Sequence, residues 1–507
     1  MKIKYRKRHF KNILIALAFA SIAILSCRQK PAQVFTQEIE ENIQLDSTVL
    51  GVSVITDSLL VPWELVWGPD DYIWVSEERG TLYRVNPETG EKHLVLQLPI
   101  GKRPEGLQSF IVHPDQDQYP YVYLHYKKFN EDSVRFNILA RFTYQNDTLV
   151  DEKILLTDTA GRGHTGSRLA FHGTDRILWA TGDQAIKDHP QNLDNINGKI
   201  LRMDLDGKVP DDNPFPNSLI YALGFRNMQG LTTTPDGVIY ISEHGDATED
   251  EVNLIQAGGN YGFPNIEGVV DNELERAFEK EHNTIPPLMA WTPTIAPADI
   301  DYYPRKNSQI PEWDHALLLV MLKGQGLRVL NLNDEGNEII REEIFLEKLY
   351  GRIRALCVSP AGDIYISTSN HDWNPMTEPA EKDDRILRIA RVDRATKEPL
   401  KGKTMEESSQ ELATGESLYQ QYCFSCHKGK GEGLKDIYPP LANSAVVADG
   451  QQLIETVKNG RDTEDYDFAM PAFSFLEDDQ LNKILNYVRT SFGNKLDSVN
   501  VNELKNY

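Results

Sequence analysis

Positive charge and cysteine are what this 507-residue chain has least of. Its 53 Lys and Arg face 76 Asp and Glu, a net charge of −23. A surface of that sign repels a phosphate backbone, which argues against a nucleic-acid partner. Four cysteines in such a length exclude a disulfide scaffold. No apolar run reaches the roughly 18–20 residues a membrane-crossing helix needs; the longest, at 13–25, is interrupted by Ser21. What is present, 40% hydrophobic and 25% charged residues, is ordinary for a globular protein and excludes global disorder. Length alone implies several domains, or one large domain with an appendage.

The first 12 residues carry six basic side chains and no acid, and the short apolar stretch follows directly. That order reads as an export signal over 1–26. Its end, Ile24-Leu25-Ser26-Cys27, resembles a bacterial lipobox, which implies lipidation of Cys27 and attachment to a bacterial membrane on its outer side. Loss of the signal takes the net charge from −23 to −29. Residues 27–49 then read as a polar tether.

From residue 50 a strand–turn–strand phrase recurs, at 66–77, 110–126, 169–183, 231–245 and 356–370. Phrases such as Thr-Pro-Asp-Gly-Val-Ile-Tyr-Ile-Ser combine a tight turn with the two-residue alternation of a half-buried strand. A sixth unit at 315–332 keeps the strands without the Pro-Asp turn. Six repeats of this kind predict a six-bladed β-propeller over 50–392, with insertions crowding one face as binding loops. A charged, Pro/Gly-punctuated stretch, 393–411, reads as a linker.

Beyond it lies a second domain, 412–507, expected to be small and all-α. Cys423-Phe424-Ser425-Cys426-His427 is the C-x-x-C-H signal for covalent haem c: two thiols to bond the vinyl groups and an imidazole for the iron. A helical period precedes it and an amphipathic helix ends the domain. The whole segment resembles a class I cytochrome c, and Met470, in Met-Pro, stands where that family has its second axial ligand. His427/Met470 ligation leaves no open iron position, which points to electron transfer.

Several propeller phrases, in order through 60–392, resemble the soluble quinoprotein aldose dehydrogenases, the glucose/sorbosone dehydrogenase family that uses pyrroloquinoline quinone (PQQ). They include GHTGSRLAF, NGKILRMDLDGKVPDDNPF, YALGFRNMQGL, ISEHGDATEDEVNLIQAGGNYGFPN, WTPTIAP, LLLVMLKGQGLRVL and GRIRAL. PQQ is a planar tricarboxylate, and loop arginines suit its carboxylates. The resemblance implies that Arg226, Asn227, His244, Asp250, Thr294, Lys323, Arg352 and Arg354 line the cofactor site. It also implies that backbone carbonyls of Gly245 and Asp246 hold a Ca²⁺, in an acidic turn whose oxygens suit a hard cation. His164 matches the family's catalytic base, and an imidazole on a glycine-bounded loop can accept a hydroxyl proton. Asp183 is a second catalytic candidate.

The chain departs from the family's pattern at Gly163, where many members have Asp. It departs again at Pro104, where many have a Gln two residues before the position of Gly106; Gln108 lies nearby, out of register. The resulting expectation is an exported sugar dehydrogenase that passes electrons through its own haem to a downstream acceptor. The alternatives are a propeller that binds sugar without turnover and, ranked lower because it has no use for a haem, a Ca²⁺-dependent lactonase. Cys357, inside a strand phrase, reads as a core thiol.

Overall fold

The computed structural model describes residues 37–101, 105–161, 163–304, 309–372, 378–404, 407, 414–435, 437–461, 466 and 469–502. The export signal, Cys27 and Pro104 lie outside these residues. Among the described residues no helix is long and apolar enough to cross a membrane.

Six antiparallel sheets form the body, five of four strands and one of five. Blades one to five run in sequence order through 62–97, 106–159, 167–223, 228–291 and 297–345. The innermost strands, Pro62–Trp67, Gly106–Val112, Ser167–Phe171, Met228–Thr233, Pro297–Tyr303 and Ile353–Val358, each neighbour the next, and the last neighbours the first. The ring is therefore closed. Blade six draws on both ends of the domain: Ile353–Val358, Ile364–Thr368 and Ile386–Val392 continue into Val49–Thr56 and then Ile39–Gln44. The expected tether at 27–49 thus ends in a blade strand, which its charge (Glu38, Glu40, Glu41) concealed.

Each hydrophobic cluster of the propeller lies between two neighbouring blades. Phe110, Leu124 and Phe142 of blade two pack on Trp74 and Leu82 of blade one; Ile239 and Ile241 of blade four pack on Leu178 and Ile200 of blade three. A blade is covered on both faces, so a middle strand can be apolar throughout, as a sheet buried on both sides must be. Ala316–Met321 is buried at every position. That explains the sixth phrase, 315–332, which holds the second and third strands of blade five; its innermost strand is Pro297–Tyr303, earlier in the sequence. In the other five phrases the turn joins the innermost strand to the second. The third turn residue is left-handed at Asp71, Gly237 and Gly362, with φ 59°, 87° and 90°, as the hairpins require.

The segment after blade six does not leave the ring at once. Leu400 bridges to Ile43 and Lys403 to Ile344, so the first part of the expected linker 393–411 lies along blades six and five. The C-terminal domain is helical: Gly415–Tyr422, Phe424–His427, Ala445–Ala448, Gly450–Asn459 and Asp478–Thr490. Leu418, Tyr419, Ile454, Leu481, Ile484 and Val488 share its core. The first and last helices cross where Gly415 meets the Lys483 carbonyl; a Cβ there would fall 2.3 Å from that oxygen.

Asn42 fastens the closure. It is fully buried, donates to the Leu50 carbonyl at 3.1 Å, and accepts from the Thr396 and Lys397 N–H groups at 2.8 and 3.0 Å. Asn42→Ala removes these bonds together, at about 0.5–1.5 kcal/mol for each. We expect a lowered denaturation midpoint for the propeller with the helical domain's own transition unmoved; an unchanged midpoint would show that these bonds do not hold the closure.

Candidate active site

The residues singled out in the sequence come from different blades and meet at one end of the ring. His164 sits on the loop entering blade three, in the left-handed region at φ 43°. Gly182 makes room for this turn, since a Cβ there would lie 2.0 Å from the His164 carbonyl. The ring nitrogen Nδ1 is 2.8 Å from Asp183 Oδ1, which also accepts from the Ala185 N–H at 2.8 Å. Asp183 is nearly sealed at 3% side-chain exposure, while His164 keeps 23%. A carboxylate fixed on Nδ1–H leaves Nε2 with the lone pair, facing outward. The departure at Gly163 leaves this pair intact.

His244 is half-buried, with Nε2 2.9 Å from the Pro297 carbonyl. Desolvation, aided by the charges of Arg226, Arg354 and His164, lowers its pKa to about 3. It is a neutral donor, and Arg226, Arg354 and His164 each lie within electrostatic reach of it. Asn227 Oδ1 accepts from the Gly166 N–H at 3.0 Å. Arg352 and Arg354 converge on Asp372, whose side chain has no exposure. Sequence reading missed Asp372; its one signal was an acid just after the strand Ile364–Thr368, at the level where the other site loops begin. Thr294 Oγ1 accepts from Lys323 Nζ at 2.6 Å. Burial brings the Lys323 pKa down to about 8, against the opposing pull of Asp250 and of both Cys423 and Cys426.

Two expected roles are altered. Asp250 does not present its carboxylate to the pocket: Oδ1 accepts from the Gly245 N–H at 2.9 Å, and Oδ2 from Ile295 and Ala296 at 2.5 and 2.7 Å. It positions two loops instead. The Gly245 carbonyl, expected on Ca²⁺, accepts from Arg226 Nη1 at 2.7 Å, while Nη2 pairs with Asp246 at 2.8 Å. Gln108, the out-of-register candidate, is buried in the strand Gly106–Val112 with Oε1 lacking a hydrogen-bond partner among the described residues.

The donor set does fit a planar polycarboxylate. Asp246 is half exposed at 50%, so its pairing with Arg226 is of the weak, solvent-screened kind that another carboxylate can replace. Lys323 rests on a neutral hydroxyl, and two guanidiniums share the single Asp372.

The haem motif also fits its group. His427 Nδ1 is 2.9 Å from the Pro439 carbonyl, which fixes the ring and leaves Nε2 for iron. Met470 packs in the cluster that includes Cys423 and Phe424, and its backbone pairs with Arg461. This domain rests against the pocket: Gln421 Nε2 donates to the Thr294 carbonyl at 3.0 Å, and Ala247 packs on the helical core.

The family model for glucose/sorbosone dehydrogenase matches residues 59–375. A second model, cbb3-type cytochrome c oxidase subunit III, matches 410–488. Quinoprotein glucose dehydrogenase B of Acinetobacter calcoaceticus is 29% identical over 404 residues, covering 62% of this chain and 84% of that one. The PQQ-bound aldose sugar dehydrogenase structure from Streptomyces coelicolor shares 28% identity and a TM-score of 0.58, over 68% of this chain and 98% of its own. The helical part is 33% identical over 102 residues to the fructose dehydrogenase cytochrome subunit of Gluconobacter japonicus, 18% of this chain and 21% of that one. The first match runs through all six blades and spans more than half the chain: the protein belongs to the glucose/sorbosone dehydrogenase family, with a cytochrome domain joined to its C-terminal side.

Proposed function

We propose that this protein is an exported, lipid-anchored sugar dehydrogenase that uses PQQ. It oxidises an aldose, or a related polyol or aldehyde, to the lactone or acid, and passes the electrons to its own haem c and on to a downstream acceptor. The observation that carries this reading is the His164–Asp183 pair close to His244, with Arg226 and Arg354 within electrostatic reach of His244 and the helix leading into the haem motif resting on the Thr294 loop.

When bound, PQQ supplies a two-electron acceptor for hydride and haem c a one-electron carrier. The chain's own residues do the rest. His164 Nε2 takes the hydroxyl proton of the sugar as hydride leaves its carbon, and Asp183 orients the ring and stabilises the imidazolium. Arg226, Lys323, Arg352 and Arg354 hold carboxylates, with Asn227, His244 and Thr294 as neutral donors. Ca²⁺ at Gly245 and Asp246 remains part of the proposal and requires the Arg226 guanidinium to move off the Gly245 carbonyl; no step above depends on it. Cys27 would hold the acyl chains, placing the enzyme on the outer side of a bacterial membrane.

With PQQ supplied, sugar should reduce the haem without added mediator. His164→Asn keeps a residue that tolerates the left-handed backbone but removes the base, and should slow the reaction by about 10²–10⁴. Cofactor bound and no reduction of either centre by any sugar would favour the binding module. Met470→Ala should open the sixth iron position to CO or imidazole; unchanged exclusion of both ligands would point to another axial residue. Cys27→Ala should move the protein out of the membrane fraction or leave it unprocessed, and equal retention of the mutant would refute the anchor.

A further inference from the structure

The helical domain touches one flank of the pocket. Gln421, two residues before the haem motif, donates to the Thr294 carbonyl at 3.0 Å. Ala247, in the blade-four loop beside Asp246, packs on the cluster that contains Tyr422, Cys423 and Phe424. Tyr438 hydrogen-bonds Cys426 and lies within electrostatic reach of Arg226 and Asp246, and both haem cysteines lie within reach of Lys323. These contacts involve blades four and five. His164 and Asp183 belong to blade three, and His164 keeps 23% of its side chain exposed with the helical domain in place.

We infer that the Ala247–Thr294–Lys323 flank is a built docking surface for the chain's own haem domain, that Gln421 is the residue positioning the domain there, and that the His164 flank stays open to sugar while the domain is docked. The inference rests on the sugar-dehydrogenase reading and assigns the two flanks of its pocket. Sugar and haem domain then need not alternate. Each sugar oxidised yields two electrons and two protons: His164 takes the hydroxyl proton, the proton carried with the hydride is released to solvent, and the haem accepts one electron, gives it to the downstream acceptor, and then accepts the second. No lifting of the domain separates these steps. An amide bonded to a main-chain carbonyl suits this role because it fixes the approach without adding charge beside Lys323.

Two measurements on the full-length protein test it. In the first, stopped-flow absorbance follows haem reduction by sugar in PQQ-loaded protein, and a small dye that accepts electrons at the propeller reports sugar oxidation separately. Gln421→Ala should slow haem reduction at least tenfold while the dye-linked kcat and KM for sugar stay as in the wild type. Equal haem reduction in the variant overturns the positioning role. A dye-linked KM that falls in the variant also overturns the inference, because it means the docked domain had been obstructing sugar. The second measurement needs no cofactor. Small-angle X-ray scattering should give a larger radius of gyration for Gln421→Ala/Ala247→Glu, which puts a carboxylate into the apolar contact, than for the wild type. An unchanged radius overturns the docking surface. Absence of dye reduction by wild-type protein would reject the enzymatic reading, and scattering would still decide the docking.

Discussion

Asp250 is a buried carboxylate whose two oxygens accept three backbone N–H groups, from Gly245, Ile295 and Ala296. Those donors lie on two loops, one before and one after a long excursion through 256–288. The first loop carries Asp246, the partner of Arg226, and Ala247, which meets the helical domain. The second carries Thr294, whose hydroxyl accepts from Lys323 and whose carbonyl accepts from Gln421. Desolvation lifts the Asp250 pKa to about 6, opposed by these N–H groups and by Lys323. Hydrogen bonds to an ionised acceptor are stronger than neutral ones, so the loops are held best with the carboxylate charged. Below pH 6 their anchor weakens, and with it the cation set and the docking flank together.

The ring beneath makes such loops placeable. A sheet buried on both faces cannot slide without exposing one interblade cluster, and closure by Val49–Thr56 on Ile386–Val392 ties the last blade to the first strands of the domain. Loops from successive blades therefore rise from fixed points. His164 from blade three, His244 from blade four, Lys323 from blade five and Arg354 from blade six meet although nearly 200 residues separate the first from the last. Rigidity in the strands is what permits left-handed and glycine-dependent backbone in the loops. At Gly245 a Cβ would lie 1.8 Å from the Thr248 carbonyl, and only a well-fixed frame holds a turn so tight.

Much of this was legible before any coordinates, for a physical reason. Strand alternation and Pro-Asp-Gly turns are local, so the blades could be read from short windows; C-x-x-C-H is local as well. What escaped was non-local. Ile39–Gln44 carries Glu40 and Glu41 and hairpins onto Val49–Thr56, whose own partner, Ile386–Val392, lies at the far end of the domain, so its charged window does not mark it as a strand. Blade five was read one strand late because its innermost strand, Pro297–Tyr303, carries Asp299 and Asp301 and lacks the turn phrase. Asp299 is buried and Asp301 half-buried, and Asp299 pairs with Arg168, which also binds Glu64 from blade one. An ionic network at the ring's centre thus disguised a central strand as a polar loop. Asp372 escaped for the same reason: its worth lies in two arginines that reach it from another strand.

The charge pattern connects these parts. A body this acidic gathers its pocket cations with few spare carboxylates: Arg352 and Arg354 share one, Arg226 has a half-exposed one, and Lys323 has a hydroxyl in contact. The same deficit acts on the haem side. Burial raises the Cys423 pKa to about 12, with Cys426 adding to the rise, and the Cys426 pKa to about 11, with Asp246 adding to it; Lys323 opposes both shifts and a Tyr438 hydrogen bond opposes the second. Thiols held neutral bring no anion into the contact, and once joined to haem they carry no charge at all. The propeller can therefore keep Lys323 desolvated at the seam without an acid across from it. A cation on one side and neutral sulfur on the other make a seam that tolerates a polyanionic cofactor beneath it, whereas a carboxylate at Gln421 would compete for the same ammonium.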